Sequence, residues 1–166
     1  MSNFTSDFSV EADGVTGVHE AGEKWAEANI RRKAIPVLSC EGACLGGEIA
    51  RLAANIVAQK EPYSRACLAE AALVPHSSMR KWVLEAARVV MIDGCNLNCA
   101  GRVMNNLVER DRIVHIGAHQ LFQKYTDVFQ ADQVPESSRL ETAHHVAGRI
   151  LDMLKEETEA ELKHAN

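Results

Sequence analysis

Two cysteines four residues apart follow one of the most apolar stretches of the sequence. The run Val89–Ile92 leads directly into Asp93 and Gly94, and Cys95 and Cys99 come next. A helix beginning here would place the two thiols on one face, one turn apart. Its N-terminus would favour the thiolate, the form that binds metals and attacks electrophiles. The stretch therefore predicts a metal or redox site.

A second pair of cysteines follows a second apolar run. Cys40 and Cys44 come after Ile35–Ser39, in a loop that contains Gly42. Cys67 lies in a third apolar segment, and His115 lies near the end of a fourth. Thiolates suit zinc and iron–sulfur clusters, and zinc takes four nitrogen or sulfur ligands. These positions predict a zinc site, with an iron–sulfur cluster as the alternative.

Phosphatase, thioredoxin-type and persulfide chemistry each require a particular arrangement of residues around a reactive cysteine. The first loop resembles the phosphate loop of low-molecular-weight phosphatases, but such a loop needs an Arg where this chain has Gly46. Phosphatase chemistry is therefore rejected. Thioredoxin-type exchange uses two residues between its cysteines rather than three. A redox pair or a persulfide-handling site remains open for either pair, because thiolates at a helix start are nucleophilic.

Asp93 and His115 are candidate supporting residues. Asp93 has a functional interpretation, as a carboxylate that accepts a hydrogen bond from a metal ligand and orients it or as a general base. It also has a structural one, as a cap on the following helix, because carboxylates near a helix start bind its free N–H groups. His115 and Cys44 are candidate additional ligands.

Composition excludes several classes of function. The chain of 166 residues has a net charge of −5 and scattered basic residues, so it lacks the basic patch of a nucleic-acid-binding protein. No apolar run approaches the length of a membrane span, and residues 1–16 lack the apolar centre of a signal peptide. We expect a cytoplasmic protein, in which five cysteines are more typical of metal ligands or reactive thiols than of disulfides.

The elements that must position these residues alternate between helix and strand. Periodicity predicts helices over 18–32, 48–59, 78–87, 97–109 and 136–163, and strands over 35–39, 64–68, 88–92 and 112–116. Near-continuous apolar strands alternating with helices predict an α/β fold with a small, doubly wound, mainly parallel sheet of order 2-1-3-4 and helices on both faces. The carboxyl ends of all four strands then lie at one edge, together with the cysteines and His115.

The chain resembles the DGC-domain family, a family of small proteins described as zinc-binding. The matching pieces are Val37–Gly42 with Gly47, Ala66–Ala69, and Val89–Cys95 with Asn98–Ala100. The resemblance covers roughly residues 34–154. It divides the chain into an N-terminal extension, residues 1–33, with a flexible lead-in and an amphipathic helix, and a DGC-like metal-binding domain, residues 34–166.

The resemblance implies a ligand set without implying a reaction. The family's four candidate chelating cysteines correspond here to Cys40, Cys67, Cys95 and Cys99. Two positions depart from the family pattern, which has Ser in place of Cys44 and Asp after the fourth strand where this chain has His115.

The leading hypothesis is therefore a protein that binds one zinc ion through thiolates at the carboxyl edge of the sheet. The alternative is an enzyme that uses the same site, either a thiol-dependent redox or persulfide-handling protein or a zinc-dependent hydrolase. The metal ion is the expected partner, nucleic acid and membranes are not, and the terminal helices could join two copies of the chain.

Overall fold

The computed structural model describes residues 12–14, 17–125 and 127–164. The predicted flexible lead-in over residues 1–16 lies almost wholly outside the described residues. Among the described residues, no helix is both long enough and apolar enough to cross a membrane.

Four parallel strands form one sheet in the order β2-β1-β3-β4, which confirms the predicted topology. The strands are β1 (Ile35–Ser39), β2 (Tyr63–Arg65), β3 (Val89–Asp93) and β4 (Ile113–Gly117). β3 lies between β1 and β4, and all five of its residues are buried. An interior strand covered on both faces requires the continuous apolar run seen in the sequence.

Helices cover both faces of this sheet. They are α1 (Glu20–Arg31), α2 (Leu45–Val57), α3 (Leu68–Leu73), α4 (Ser78–Glu85), α5 (Cys99–Met104) and α6 (Glu136–His164), with short 3-10 turns at Arg110–Arg112, Ala118–Gln120 and Ala131–Gln133. α2 and α6 pack together on one face, over Val37, Val90 and Ile92. α1, α4 and α5 cover the other face, over Leu38 and Met91.

Two local predictions were wrong, and both concern cysteines. Cys67 was expected within the second strand, but β2 ends at Arg65 and Cys67 is the N-cap residue of the short helix α3. Cys95 and Cys99 were expected on one helical face. α5 begins only at Cys99, so Cys95 lies in the preceding turn.

The late start of α5 has a local cause. Asn98 immediately before it adopts a left-handed conformation with φ 50°, which Asn tolerates better than most residues but which a continuous helix does not contain. The turn from Gly94 to Asn98 therefore separates the two thiols.

Candidate functional site

All five cysteines lie beyond the carboxyl ends of strands. Cys40 directly follows β1, and Cys44 is the N-cap residue of α2. Cys67 follows β2, Cys95 follows β3, and Cys99 begins α5. In an open parallel sheet this edge is the usual position of a ligand site.

Glycines bring the first turn of α2, which directly follows the β1–α2 loop, into backbone contact with the β3–α5 loop. A Cβ built on Gly94 would lie 2.5 Å from the carbonyl oxygen of Gly46 and from the nitrogen of Gly47. A Cβ on Gly46 would overlap the carbonyl group of Gly94, and one on Gly47 would lie 2.5 Å from the oxygen of Gly42. No side chain fits between these backbones, so the two loops that carry Cys40, Cys44 and Cys95 are pressed together.

Cys40 is held by hydrogen bonds at both its backbone and its thiol. Its backbone N–H donates to the carbonyl oxygen of Ile92 at 2.9 Å, and its half-buried Sγ accepts from the N–H of Gly42 at 3.3 Å. Burial raises the pKa of Cys40, the backbone N–H groups of Gly42 and Gly94 oppose that rise, and the nearby Asp93 adds to it.

Cys44 lies close to Cys40 across Gly42. Its Sγ accepts from the N–H of Gly47 at 3.4 Å in the first turn of α2. A Cβ at Gly42 would lie 3.3 Å from Sγ of Cys40 and 3.8 Å from Sγ of Cys44, so one point contacts both sulfurs. An isolated antiparallel bridge with Gln130 holds the backbone of Cys44.

Arg65 connects β2 to the first cysteine loop, and the sequence analysis missed it. Its guanidinium donates to the side chains of Asn55, Ser39 and Glu41 at 3.0, 2.6 and 2.5 Å. It also donates to the carbonyl oxygens of Val37 and Ala66 at 3.0 and 2.7 Å. These contacts use all five N–H groups of an arginine. A lone Arg at the end of a short strand gives no sequence signal of this role.

The charge of Arg65 also acts on Cys67, in the segment between β2 and α3. Burial lowers the pKa of Arg65, and Glu41 opposes that shift. The thiol of Cys67 is near enough to interact electrostatically with the guanidinium, although Cys67 itself is exposed. Arg65 thus fixes the relative positions of the loops that carry Cys40 and Cys67.

Asp93 caps α5 and orients a histidine. Its carboxylate is buried and accepts from the N–H groups of Ala100 and Gly101 at 3.1 and 2.8 Å, which confirms the capping interpretation. The same carboxylate lies 2.8 Å from Nε2 of His115. His115 was expected near the end of the fourth strand and is the middle residue of β4. Gly101 is required here, because a Cβ would lie 2.8 Å from both Asp93 Oδ2 and His115 Nε2.

The predicted ligands share an edge without enclosing a common point. Within the described ranges, no group of three or more His, Cys, Asp or Glu side chains is arranged to hold a metal ion. The structure brings together Cys40 with Cys44 and Asp93 with His115. Cys67 and Cys99 are exposed at the starts of α3 and α5, and Cys95 is half-buried in the turn before α5.

Comparison with known proteins gave one match. A model of the DGC domain matches residues 36–139, well over half of the chain. That range begins at the second residue of β1, ends in the first turn of α6, and contains the rest of the sheet and all five cysteines. Neither the curated proteins nor the solved structures gave a match.

Proposed function

The chain belongs to the DGC-domain family, and from this premise we propose that it binds one zinc ion through cysteine thiolates at the carboxyl edge of the sheet. The proposed ligands are Cys40, Cys67, Cys95 and Cys99. Zinc binding is the proposed activity, and no reaction is attached to it.

The observation that carries the proposal is the packing of Gly46 and Gly47 against Gly94. This contact fixes the loop that contains Cys40 against the loop that contains Cys95. A metal site built from residues distant in sequence needs such a contact, because ordering two free loops around an ion would cost conformational entropy. The sheet order β2-β1-β3 puts the loop of Cys67 on the other side of Cys40.

The donor set fits zinc chemically. Zinc accepts four thiolates in tetrahedral structural sites, and a soft sulfur set favours zinc over the hard cations that prefer oxygen. Cys67 and Cys99 are exposed side chains next to turns, so their side chains have room to turn towards Cys40 and Cys95. Bound zinc would supply a cross-link between three loops.

Residues around the thiols support this role without being ligands. Burial raises the pKa of Cys40, and the N–H of Gly42, which donates to its Sγ, opposes that rise because such a hydrogen bond favours a charged sulfur. Arg65 holds the first loop against the end of β2. Asp93 holds the first turn of α5, and with it the backbone of Cys99, in place.

The experiment is a competition titration of zinc with a chromogenic chelator, on full-length protein and on single Ser variants. Cys95→Ser and Cys99→Ser should each weaken zinc binding at least ~10-fold, because each removes one thiolate from a four-ligand site. Cys44→Ser is the matched control, since it removes a thiol in the same edge that lies outside the proposed set. Equal zinc affinity in Cys95→Ser, Cys99→Ser and the wild type would refute the proposed ligand set.

A further inference from the structure

We propose that Cys40 and Cys44 form a reversible disulfide across Gly42 when the protein meets a peroxide. Both sulfurs lie within 4 Å of the position that a Cβ at Gly42 would occupy. The disulfide does not depend on the zinc proposal. The effect of the disulfide on metal binding does rest on the zinc proposal, because a Cys40 held in a disulfide cannot bind a metal.

The absence of a side chain at Gly42 leaves open a space that both sulfurs border. A Cβ at that position would stand 3.3 Å from one sulfur and 3.8 Å from the other, so any larger residue would obstruct their approach. By contrast, Cys95 and Cys99 are separated by the turn that ends at the left-handed Asn98. The first loop therefore offers the better pair.

The loop is held at its two ends and exposed in its middle. At one end, Cys40 N–H bonds to Ile92, and at the other, Cys44 bridges to Gln130 and starts α2. Residues 41–43 between them are exposed, so an oxidant in solvent can reach the pair. The anchored ends keep the sulfurs near each other, while the exposed residues can absorb the shift that bond formation needs.

The chemistry balances with peroxide as the oxidant. One thiolate attacks a peroxide oxygen, the O–O bond breaks, and a sulfenic acid and one water molecule result once a proton is taken up. The second thiolate attacks the sulfenic sulfur, and its hydroxyl leaves as a second water molecule. Two thiols lose two electrons in total, and one peroxide is reduced to two water molecules.

Peptide mapping can identify this disulfide because trypsin separates the cysteines of the three loops. Residues 34–51 carry Cys40 and Cys44, residues 66–80 carry Cys67, and residues 89–102 carry Cys95 and Cys99. Full-length protein, freed of metal by a chelator, is treated with hydrogen peroxide, alkylated and digested. Peptide 34–51 should become unalkylated and two hydrogens lighter than the dithiol, and a reductant should restore two alkylation sites.

Three variants test the proposed role of this loop. Gly42→Val should slow disulfide formation severalfold by placing a branched side chain against both sulfurs, whereas Gly148→Ala, at a site with nothing within 4 Å, should leave the rate unchanged. Cys44→Ser should leave Cys40 without an intramolecular partner. The proposal is overturned if peptide 34–51 stays doubly alkylated while peptide 89–102 loses its thiols, or if Gly42→Val oxidises as fast as the wild type.

A second measurement separates this proposal from the zinc proposal. Peroxide added to zinc-loaded protein should release zinc in step with the loss of alkylation on peptide 34–51. If the protein binds no zinc, the disulfide result on the metal-free chain still stands. If zinc is bound and retained while the disulfide forms, Cys40 is not a ligand.

Discussion

Replacing Gly94 with Ala perturbs the backbone contact that joins the two cysteine loops. The new Cβ would lie 2.5 Å from Gly46 O and from Gly47 N. Non-bonded carbon contacts are comfortable at roughly 3.5 Å, so the loops would have to separate by about 1 Å. Because all the crowded atoms belong to backbone, no change of side-chain rotamer can relieve the overlap.

The expected loss of stability is about 3 kcal/mol. Overpacking in a well-packed region typically costs roughly 1–3 kcal/mol, and a clash with two anchored loops belongs at the upper end. That loss is a large part of the roughly 5–15 kcal/mol that stabilises a typical domain. Separation of the loops should also weaken zinc binding, since Cys40 and Cys95 lie on opposite sides of the contact.

Urea unfolding followed by circular dichroism measures the effect, with equal m values required for comparison. Gly148→Ala is the control, because Gly148 is exposed on α6 and has nothing within 4 Å of a built Cβ. It should stabilise the protein by up to about 1 kcal/mol, the helix preference of Ala over Gly.

A double variant checks the assignment of the contact. Gly46→Ala crowds the same interface from the first turn of α2, so the double variant should cost less than the two single variants together. A Gly94→Ala protein within about 1 kcal/mol of the wild type would refute the claim that this contact is tight.

Three further predictions concern single side chains. Asp93→Asn should lower the free energy of unfolding in urea by about 2 kcal/mol, because the NH2 group of Asn would face a buried N–H donor and leave it without an acceptor. A loss below about 0.5 kcal/mol would contradict the capping role of Asp93. Arg65→Met should lower the free energy of unfolding by roughly 2–4 kcal/mol in the same assay, since it removes five hydrogen bonds. Arg51→Met, the control, breaks the partly exposed ion pair with Glu48 and should cost at most about 0.5 kcal/mol. Similar losses in the two variants would contradict the special role of Arg65. In metal-free protein the raised pKa of Cys40 leaves the thiol mainly protonated at neutral pH. Its alkylation rate should therefore keep rising above the pH at which the rate of an ordinary cysteine becomes constant. A rate that becomes constant at the ordinary pH would contradict the raised pKa.

The sheet could be predicted because its signals are strong and local. β3 is an interior strand with every residue buried, and such a strand can be built only from a continuous apolar run. Right-handed crossovers then leave few ways to arrange four parallel strands, so the order followed from topology rules.

The starts of α3 and α5 could not be predicted from periodicity. Helical spacing of apolar residues is compatible with a helix that begins before Cys99, and only the left-handed Asn98 moves the start to that residue. β2 is short, and the residues after Arg65 turn into α3 instead of extending the strand. Cys67 therefore stands in a turn, where its neighbours set its position.

Contacts between distant residues were the least visible in the sequence. Arg65 reaches acceptors on β1, on α2 and in the first loop, and no local pattern marks an arginine for that role. In the sequence, Gly46 was marked only by the absence of an Arg and Gly47 only by the family resemblance. Their function as a contact surface for Gly94 emerges only when the two loops are placed side by side.

The coordination shell of the metal is the most direct test of the proposed function. X-ray absorption at the zinc edge, on full-length protein carrying one equivalent of zinc, should show a closed shell of mainly sulfur ligands at about 2.3 Å. Cys44→Ser should leave that spectrum unchanged, whereas Cys95→Ser should replace one sulfur by a lighter atom or abolish binding. A wild-type shell dominated by oxygen and nitrogen, or one with an exchangeable water, would contradict a closed thiolate site.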